Sequence, residues 1–159
     1  MSGGFSVRFI YREEFRPAME LCWRVFCEFQ SGLTGREGRE SFSRFINDET
    51  LHTVFLNGGF PVIAAYDDGA MIGVAALRNG PHLSLLFVEG CYQHMGVGRA
   101  LLDYLHGWLL ENKGWLGGAR LTVNASVTGE GFYHRLGFKD TGPKVNKDGI
   151  DYTPMEIEL

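Results

Sequence analysis

The stretch from Leu85 to Leu102 constrains the fold more tightly than any other part of the chain. Leu85-Leu86-Phe87-Val88 is a short apolar run. A polar turn with two closely spaced glycines, Gly96 and Gly98, follows, and Arg99-Ala100-Leu101-Leu102 opens a helical pattern. A strand that passes through a glycine turn into a helix gathers unpaired backbone N–H groups at the helix N-terminus. With the positive end of the helix dipole, these donors suit a phosphate. Without β-carbons, Gly96 and Gly98 let a diphosphate approach the main chain, and Arg99 adds a positive charge beside it.

Several readings of the turn compete. A nucleoside-triphosphate loop requires Lys-Ser or Lys-Thr after its last glycine, whereas Gly98 is followed by Arg99-Ala100. A dinucleotide fingerprint places a third glycine where Leu101 stands, and an acid about twenty residues on, which is missing. Two readings survive: a plain strand-to-helix connection, and a phosphate site of another kind that starts with Gln93, Gly96 and Gly98.

The 159 residues suit one domain, 1–159, large enough for a sizeable core. A net charge of −4 and a pI near 5.7 argue against a nucleic-acid or anionic-membrane partner. No apolar run reaches membrane-span length, and the start Met1-Ser2-Gly3-Gly4 lacks a signal-peptide core, so a cytoplasmic location is expected. Three cysteines without metal-ligand spacing read as reduced thiols, and His52, His94, His106 and His134 show no pairing that suggests a metal.

Along the chain, Ser6 to Tyr11 alternates as a first strand. Phe15, Met19, Cys22, Phe26 and Phe29 then recur at helical spacing. Gln30 to Gly38 reads as a polar loop, Glu40 to Asn47 as a helix, and Leu51 to Phe60 as either strand or loop. Pro61–Tyr66 and Met71–Arg78 flank Asp67-Asp68-Gly69-Ala70 as a hairpin. His82 to Val88 is the strand that enters the turn. The helix after Gly96 buries Val97, Leu101, Leu105 and Leu109, and Lys113-Gly114 with Gly117-Gly118 stop it. Arg120 to Asn124 is a strand, Ser126 a cap for a short helix through Arg135, and Gly137 a left-handed helix end. Strands near Phe138 and from Tyr152 to Leu159 enclose a loop, Thr141 to Gly149. The pattern alone gives an α/β or α+β domain with a mixed sheet.

The motif Gln93-x-x-Gly96-x-Gly98-Arg99-Ala100 resembles the acetyl-coenzyme A loop of the GNAT superfamily of N-acetyltransferases. Leu121-Thr122-Val123-Asn124-Ala125-Ser126, with Gly131-Phe132-Tyr133-His134-Arg135-Leu136-Gly137-Phe138, is similar to that superfamily's fifth strand, fourth helix and Gly-Phe exit. The tail from Tyr152 to Leu159 looks like its last strand. The likeness covers the chain from about Met71 onward. It implies a seven-stranded, mostly antiparallel sheet with about four helices. Strands four and five run parallel and splay around acetyl-coenzyme A, which acts as cosubstrate without a metal.

By the same resemblance, residues Gln93, His94, Met95, Gly96, Val97, Gly98 and Arg99 hold the diphosphate. The backbone of Phe87 and Val88 pairs with the pantetheine arm, and a main-chain N–H polarises the acetyl carbonyl. Asn124 bonds the arm from the neighbouring strand. Tyr133 protonates the departing thiolate, though from the residues alone, without the surrounding motif, it reads first as a core tyrosine between Phe132 and Leu136. The base is open. Strand alternation puts His82, Ser84, Leu86 and Val88 on one face, and Glu89 with Leu83, Leu85 and Phe87 on the other. His82 has the better intrinsic pKa for the work, Glu89 lies at the open end of the strand, and a water chain is the third option. Trp23, Phe26 and Phe29 read as core or as one wall of an acceptor pocket. The implied activity is direct transfer of acetyl from acetyl-coenzyme A to a primary amine of a small molecule or peptide. The alternative is a non-catalytic acyl-coenzyme A-binding module, for which Tyr133 and Asn124 would be superfluous. Acceptor identity, acyl-chain length and oligomeric state, a homodimer included, stay open.

Overall fold

The computed structural model describes residues 4–29, 31–112 and 120–159, with the side chains of 31–33 outside the description. One sheet runs through the molecule in the order β1-β2-β3-β4-β5-β8-β6, with β7 on β8. Its strands are β1 (Ser6–Phe9), β2 (Val62–Asp67), β3 (Ala70–Leu77), β4 (His82–Val88), β5 (Arg120–Ser126), β6 (Lys139–Asp140), β7 (Val145–Lys147) and β8 (Ile150–Glu158). All pairings are antiparallel except β4 with β5, which is parallel. The helices are α1 (Phe15–Phe29), α2 (Ser31–Ile46), α3 (Glu49–Leu56), α4 (Val97–Glu111) and α5 (Glu130–Arg135).

The sheet separates two cores. On one face α4 buries Val97, Leu101, Leu105 and Leu109 against Ile63, Ala75, Val123 and Met155. On the other, α1 buries Phe15, Met19, Leu21 and Val25 against Val62, Ala64, Val74 and Leu85. The inner strands β2 and β3 are therefore apolar on both sides, which is why they read as continuous apolar runs. Their hairpin turns on Asp68 (φ 50°) and Gly69 (φ 83°), the left-handed pair that a two-residue turn requires.

Three segments differ from the sequence reading. Leu51 to Phe60 is neither strand nor loop at its start: it lies mostly in α3, whose N-cap Asp48 accepts from the Thr50 N–H at 2.8 Å. The run Thr53-Val54-Phe55-Leu56 has strand-like composition, but the cap and the buried Leu51 decide for helix. Gln30 to Gly38 is largely helical too, because α2 starts at Ser31 and is broken at Gly35 (φ 66°, ψ −169°) rather than preceded by a loop. Within Thr141 to Gly149 the chain forms β7, an eighth strand that pairs with β8 through Val145↔Tyr152 and Lys147↔Ile150, turning at Asp148-Gly149. Ser126 ends β5 instead of capping α5. Its hydroxyl still accepts from Gly129 N–H, and Gly129 is the cap residue. The proposed helix stop at Lys113-Gly114 and Gly117-Gly118 lies outside the described residues.

Helix α4 approaches β3 closely because Gly73 faces it. A β-carbon there would lie 3.1 Å from Val97 Cγ1, 3.2 Å from Leu101 Cδ1 and 3.3 Å from the Phe87 carbonyl oxygen. Val97 and Leu101 are buried and the carbonyl is fixed in the sheet, so the space cannot open without moving the helix. Gly73→Val is expected to cost about 1–3 kcal/mol of stability through overpacking, measured by urea denaturation.

Candidate active site

Strands β4 and β5 hold together over two residue pairs only, His82↔Thr122 and Leu83↔Val123. Past Leu83 they diverge. A cleft of about 350 Å³ opens between them, lined by β4 from Leu83 to Val88, by Val123, Asn124 and Ser126 of β5, and by Tyr133.

The divergence starts at a β-bulge. Ala76 pairs with Leu85 and Leu77 pairs with Leu83, so Ser84 is an extra residue in β4, and its hydroxyl donates to the Ala76 carbonyl at 3.3 Å. The bulge overturns the expected alternation. Leu83 shares the α4 face with Leu86 and Val88, while Leu85 and Phe87 face α1. A strand read at period two cannot reveal an inserted residue.

The register also corrects one main-chain assignment. The Glu89 N–H donates to the Ile72 carbonyl at 2.9 Å. In an antiparallel ladder, Phe87, opposite Val74, then directs both its backbone groups toward β3. Leu86 and Val88 direct theirs into the gap. Thus Leu86 and Val88, not Phe87 and Val88, direct their backbone groups into the cleft, where the Val88 carbonyl is taken by Gln93 and Phe87 contributes only its side chain. Gln93 Nε2 donates to the Val88 carbonyl at 3.0 Å, which ties the turn to the end of β4.

The turn itself is built as a donor cluster. After a 3₁₀ turn at Gly90–Tyr92, His94 (φ 64°) and Gly96 (φ 86°) take left-handed conformations and Val97 begins α4. The first intrahelical bond runs from Ala100 N–H to the Gly96 carbonyl, 3.0 Å. The N–H groups of Val97, Gly98 and Arg99 therefore have no acceptor within the helix. His94, Met95 and Gly96 are exposed, while the Val97 side chain is buried and anchors the helix. The two glycines have different work. At Gly96 a β-carbon would meet open space, and the positive φ is what requires glycine. At Gly98 it would come within 3.1 Å of the Phe132 ring, so this glycine seats α5 against α4. The Arg99 side chain is exposed and lies 4.0 Å from Asp103, one turn along.

Tyr133 is buried, with the rings of Phe132 and Phe138 edge-on to it at 5.2 Å each, and it lines the cleft opposite β4. Burial pushes its hydroxyl well above the ordinary tyrosine range, so it stays protonated near neutrality. Asn124 lies across from Ser84 to Val88 in the same cleft.

The two candidate bases lie elsewhere. His82 sits at the closed end of the splay, where Nδ1 is 2.7 Å from the Thr122 hydroxyl, and does not line the cleft. Desolvation, with the positive charge of Arg78 second, lowers its pKa. Glu89 is turned away to Arg24 of α1, 2.7 Å. Trp23 does not reach the cleft either. It stacks behind Phe26 (5.9 Å) and Phe42 (6.3 Å), and Phe26, Phe29 and Phe42 form the wall. From sequence, Phe42 reads only as an inward residue of the Glu40–Asn47 helix and Ile150 falls between the Thr141–Gly149 loop and the Tyr152–Leu159 strand, so no local signal marks either as part of the cleft.

Comparison with known proteins agrees with this architecture. The family profile described as Acetyltransferase (GNAT) domain matches residues 31–159. The chain belongs to the GNAT acetyltransferase family. A protein of Bacillus subtilis (strain 168) that carries an acetyltransferase name is 25% identical over 146 residues, 90% of this chain and 88% of its own. In fold, the chain is similar to a GCN5-related N-acetyltransferase structure from Rhodopseudomonas palustris (TM-score 0.82, 22% identity, 100% of this chain and 98% of the other). It is also similar to the PaiA N-acetyltransferase of Thermoplasma acidophilum in complex with coenzyme A (TM-score 0.75, 22% identity, 98% and 99%). No helix among the described residues is long and apolar enough to cross a membrane.

Because the folded-state pKa of His82 lies below that of an unfolded histidine, near 6.5, the unfolded chain binds more protons as pH falls through that value. His82 therefore costs stability below about pH 6.5 and costs none above it. His82→Gln is expected to flatten this acid-side loss in melting temperatures recorded between about pH 5 and 8, leaving the plateau above neutrality in place.

Proposed function

We propose that the 159 residues act as one cytoplasmic acetyltransferase domain that transfers acetyl from acetyl-coenzyme A directly to a primary amine in a ternary complex. The observation that carries this reading is that the open edge of β4 and the buried Tyr133 line one cleft, while the donor turn at the start of α4 is tied to the end of β4 through Gln93. The Thermoplasma relative in complex with coenzyme A supports the choice of donor.

A strand-like amide arm fits the edge that Leu86 and Val88 leave open, and Asn124 meets it from β5. The N–H groups from His94 to Arg99 face a diphosphate without a charged side chain having to be buried. A main-chain N–H of β4 polarises the carbonyl oxygen where negative charge develops. The amine nitrogen bonds to the carbonyl carbon as the carbon–sulfur bond breaks. The Tyr133 hydroxyl gives its proton to the sulfur, and the amine's surplus proton passes to water and from water back to Tyr133, so the cycle closes with no net proton released. Water takes that part because neither His82 nor Glu89 lines the cleft. The protonated state that burial imposes on Tyr133 suits an acid and not a base.

Coenzyme A and acetyl-coenzyme A are expected to raise the melting temperature while ATP does not, because a ligand held only by the folded state stabilises it. No shift with either thioester or thiol form would sink the assignment. Tyr133→Phe is expected to lower kcat by about 10²–10⁴-fold with coenzyme A affinity kept, followed by thiol release and calorimetry. His82→Ala is expected to leave the pH–rate profile in shape, and a displaced limb would return His82 to the mechanism.

A further inference from the structure

The acceptor end of the cleft has a chemistry of its own. Phe26 and Phe29 of α1, Phe42 of α2 and Ile150 of β8 form its wall. The wall is stiff: Phe42 stacks on Phe26 at 4.4 Å and packs on Phe87 at 5.5 Å, with Trp23 behind. All 19 acidic residues of the chain are among the described ones, and no carboxylate lines the cleft. Acids on the bordering elements are turned elsewhere: Glu89 to Arg24, Glu130 to the Thr153 hydroxyl at 2.5 Å, Asp151 to Asn146 Nδ2 at 2.8 Å and Glu40 to Arg36, while Glu28 lies beside Gly90 outside the cleft. The polar groups that remain, among them Ser84, Gln93 and Asn124, are neutral.

The opening is also fixed in width. Helix α2 and the β7–β8 turn touch through two glycines: a β-carbon on Gly149 would lie 2.5 Å from Gly38 N, and one on Gly38 would lie 2.6 Å from the Gly149 carbonyl oxygen. Ser41 adds a hydroxyl bond to the Asp148 carbonyl, 2.9 Å. Phe42 stands one helical turn after Gly38, and Ile150 follows Gly149, so this backbone clasp sets the distance between the two sides of the wall.

We infer that the acceptor is a small, weakly basic primary amine carried on an aromatic or branched apolar group. The inference rests on the acetyltransferase reading above and narrows its substrate class. An ammonium brought into this cleft finds only aromatic faces and neutral oxygens, and no carboxylate, to offset its desolvation, which disfavours polyamines and lysine-rich peptides. At about pH 7.5 roughly a third of an α-amine is already neutral, against about 0.1% of a lysine-type amine. A site without a lining base therefore works best on the α-amine class, and the apolar wall supplies affinity for the group beside it.

The test is steady-state thiol release by the full chain with acetyl-coenzyme A and three amines: phenylalaninamide, glycinamide and spermidine. Phenylalaninamide and glycinamide share an α-amine and differ in the apolar group. The expected kcat/KM for phenylalaninamide exceeds that for glycinamide by at least about tenfold, and exceeds that for spermidine. Phenylalaninamide no faster than glycinamide, zero turnover included, or spermidine preferred, overturns the inference. Coenzyme A calorimetry separates this outcome from failure of the acetyltransferase reading. Binding with acetylation of spermidine leaves an acetyltransferase of another acceptor class, and no binding removes the parent reading as well. Ile150→Glu, at the rim of the sheet, and Phe42→Glu are each expected to lower kcat/KM for phenylalaninamide at least about tenfold, with coenzyme A affinity unchanged. An unchanged amine preference in whichever variant still binds coenzyme A also overturns the inference.

Discussion

Everything at the site depends on how briefly β4 and β5 pair. Two residue pairs close the parallel seam, and the inserted Ser84 then bends β4 away from its neighbour. A fully zipped seam would satisfy the backbone of Leu86 and Val88 and leave no cleft. A seam with no pairs at all would lose the sheet's continuity, because β5, β8, β6 and β7 attach to the rest through it. The two cores make the compromise tolerable, since α4 packs across β2, β3 and β4 on one face while α1 spans β3 and β4 on the other. Hydrogen bonds given up inside the sheet are thus offset by apolar burial outside it.

The same seam orders the polar groups by kind. At its closed end stands His82, desolvated and held by Thr122, a structural partner of the pairing. At its open end, the carbonyl of Val88 receives Gln93, and the chain then passes through two left-handed residues to point N–H groups outward. Between them lies Tyr133, fixed by its aromatic neighbours and by the close seat that Gly98 gives α5. Donor groups, the Tyr133 hydroxyl and strand edge are held by backbone geometry and packing, with hardly any charge involved.

How much of this was legible in the sequence follows from the range of each determinant. The turn from Gln93 to Arg99 was readable because glycine positions and a helix start are local signals, and β4 was delimited at its observed ends. The bulge was not, since an extra residue shows only against the partner strand, and with it went the facing of Leu83 and the choice of Leu86 over Phe87. The role of Gly98 depended on Phe132, over thirty residues away in the chain. The second half of α2 was read as the helix from Glu40 to Asn47, but its first half was hidden by Gly32, Gly35 and Gly38, poor helix formers individually. The last of these is placed by contact with the β7–β8 turn and not by local propensity.

That contact between Gly38 and Gly149 bears on how such a chain changes over time. Its two halves come from segments more than a hundred residues apart, and neither touches the donor turn. Any side chain gained at either glycine is opposed by the other's backbone, so an exchange at the second position does not relieve one at the first, and only a shift that carries the two segments apart would open the wall. A shift of that kind would alter what fits between Phe42 and Ile150 while the turn from Gln93 to Arg99 stays as it is. On the proposed reading, the acceptor side of this domain can therefore diversify in discrete steps while the donor side is unaltered.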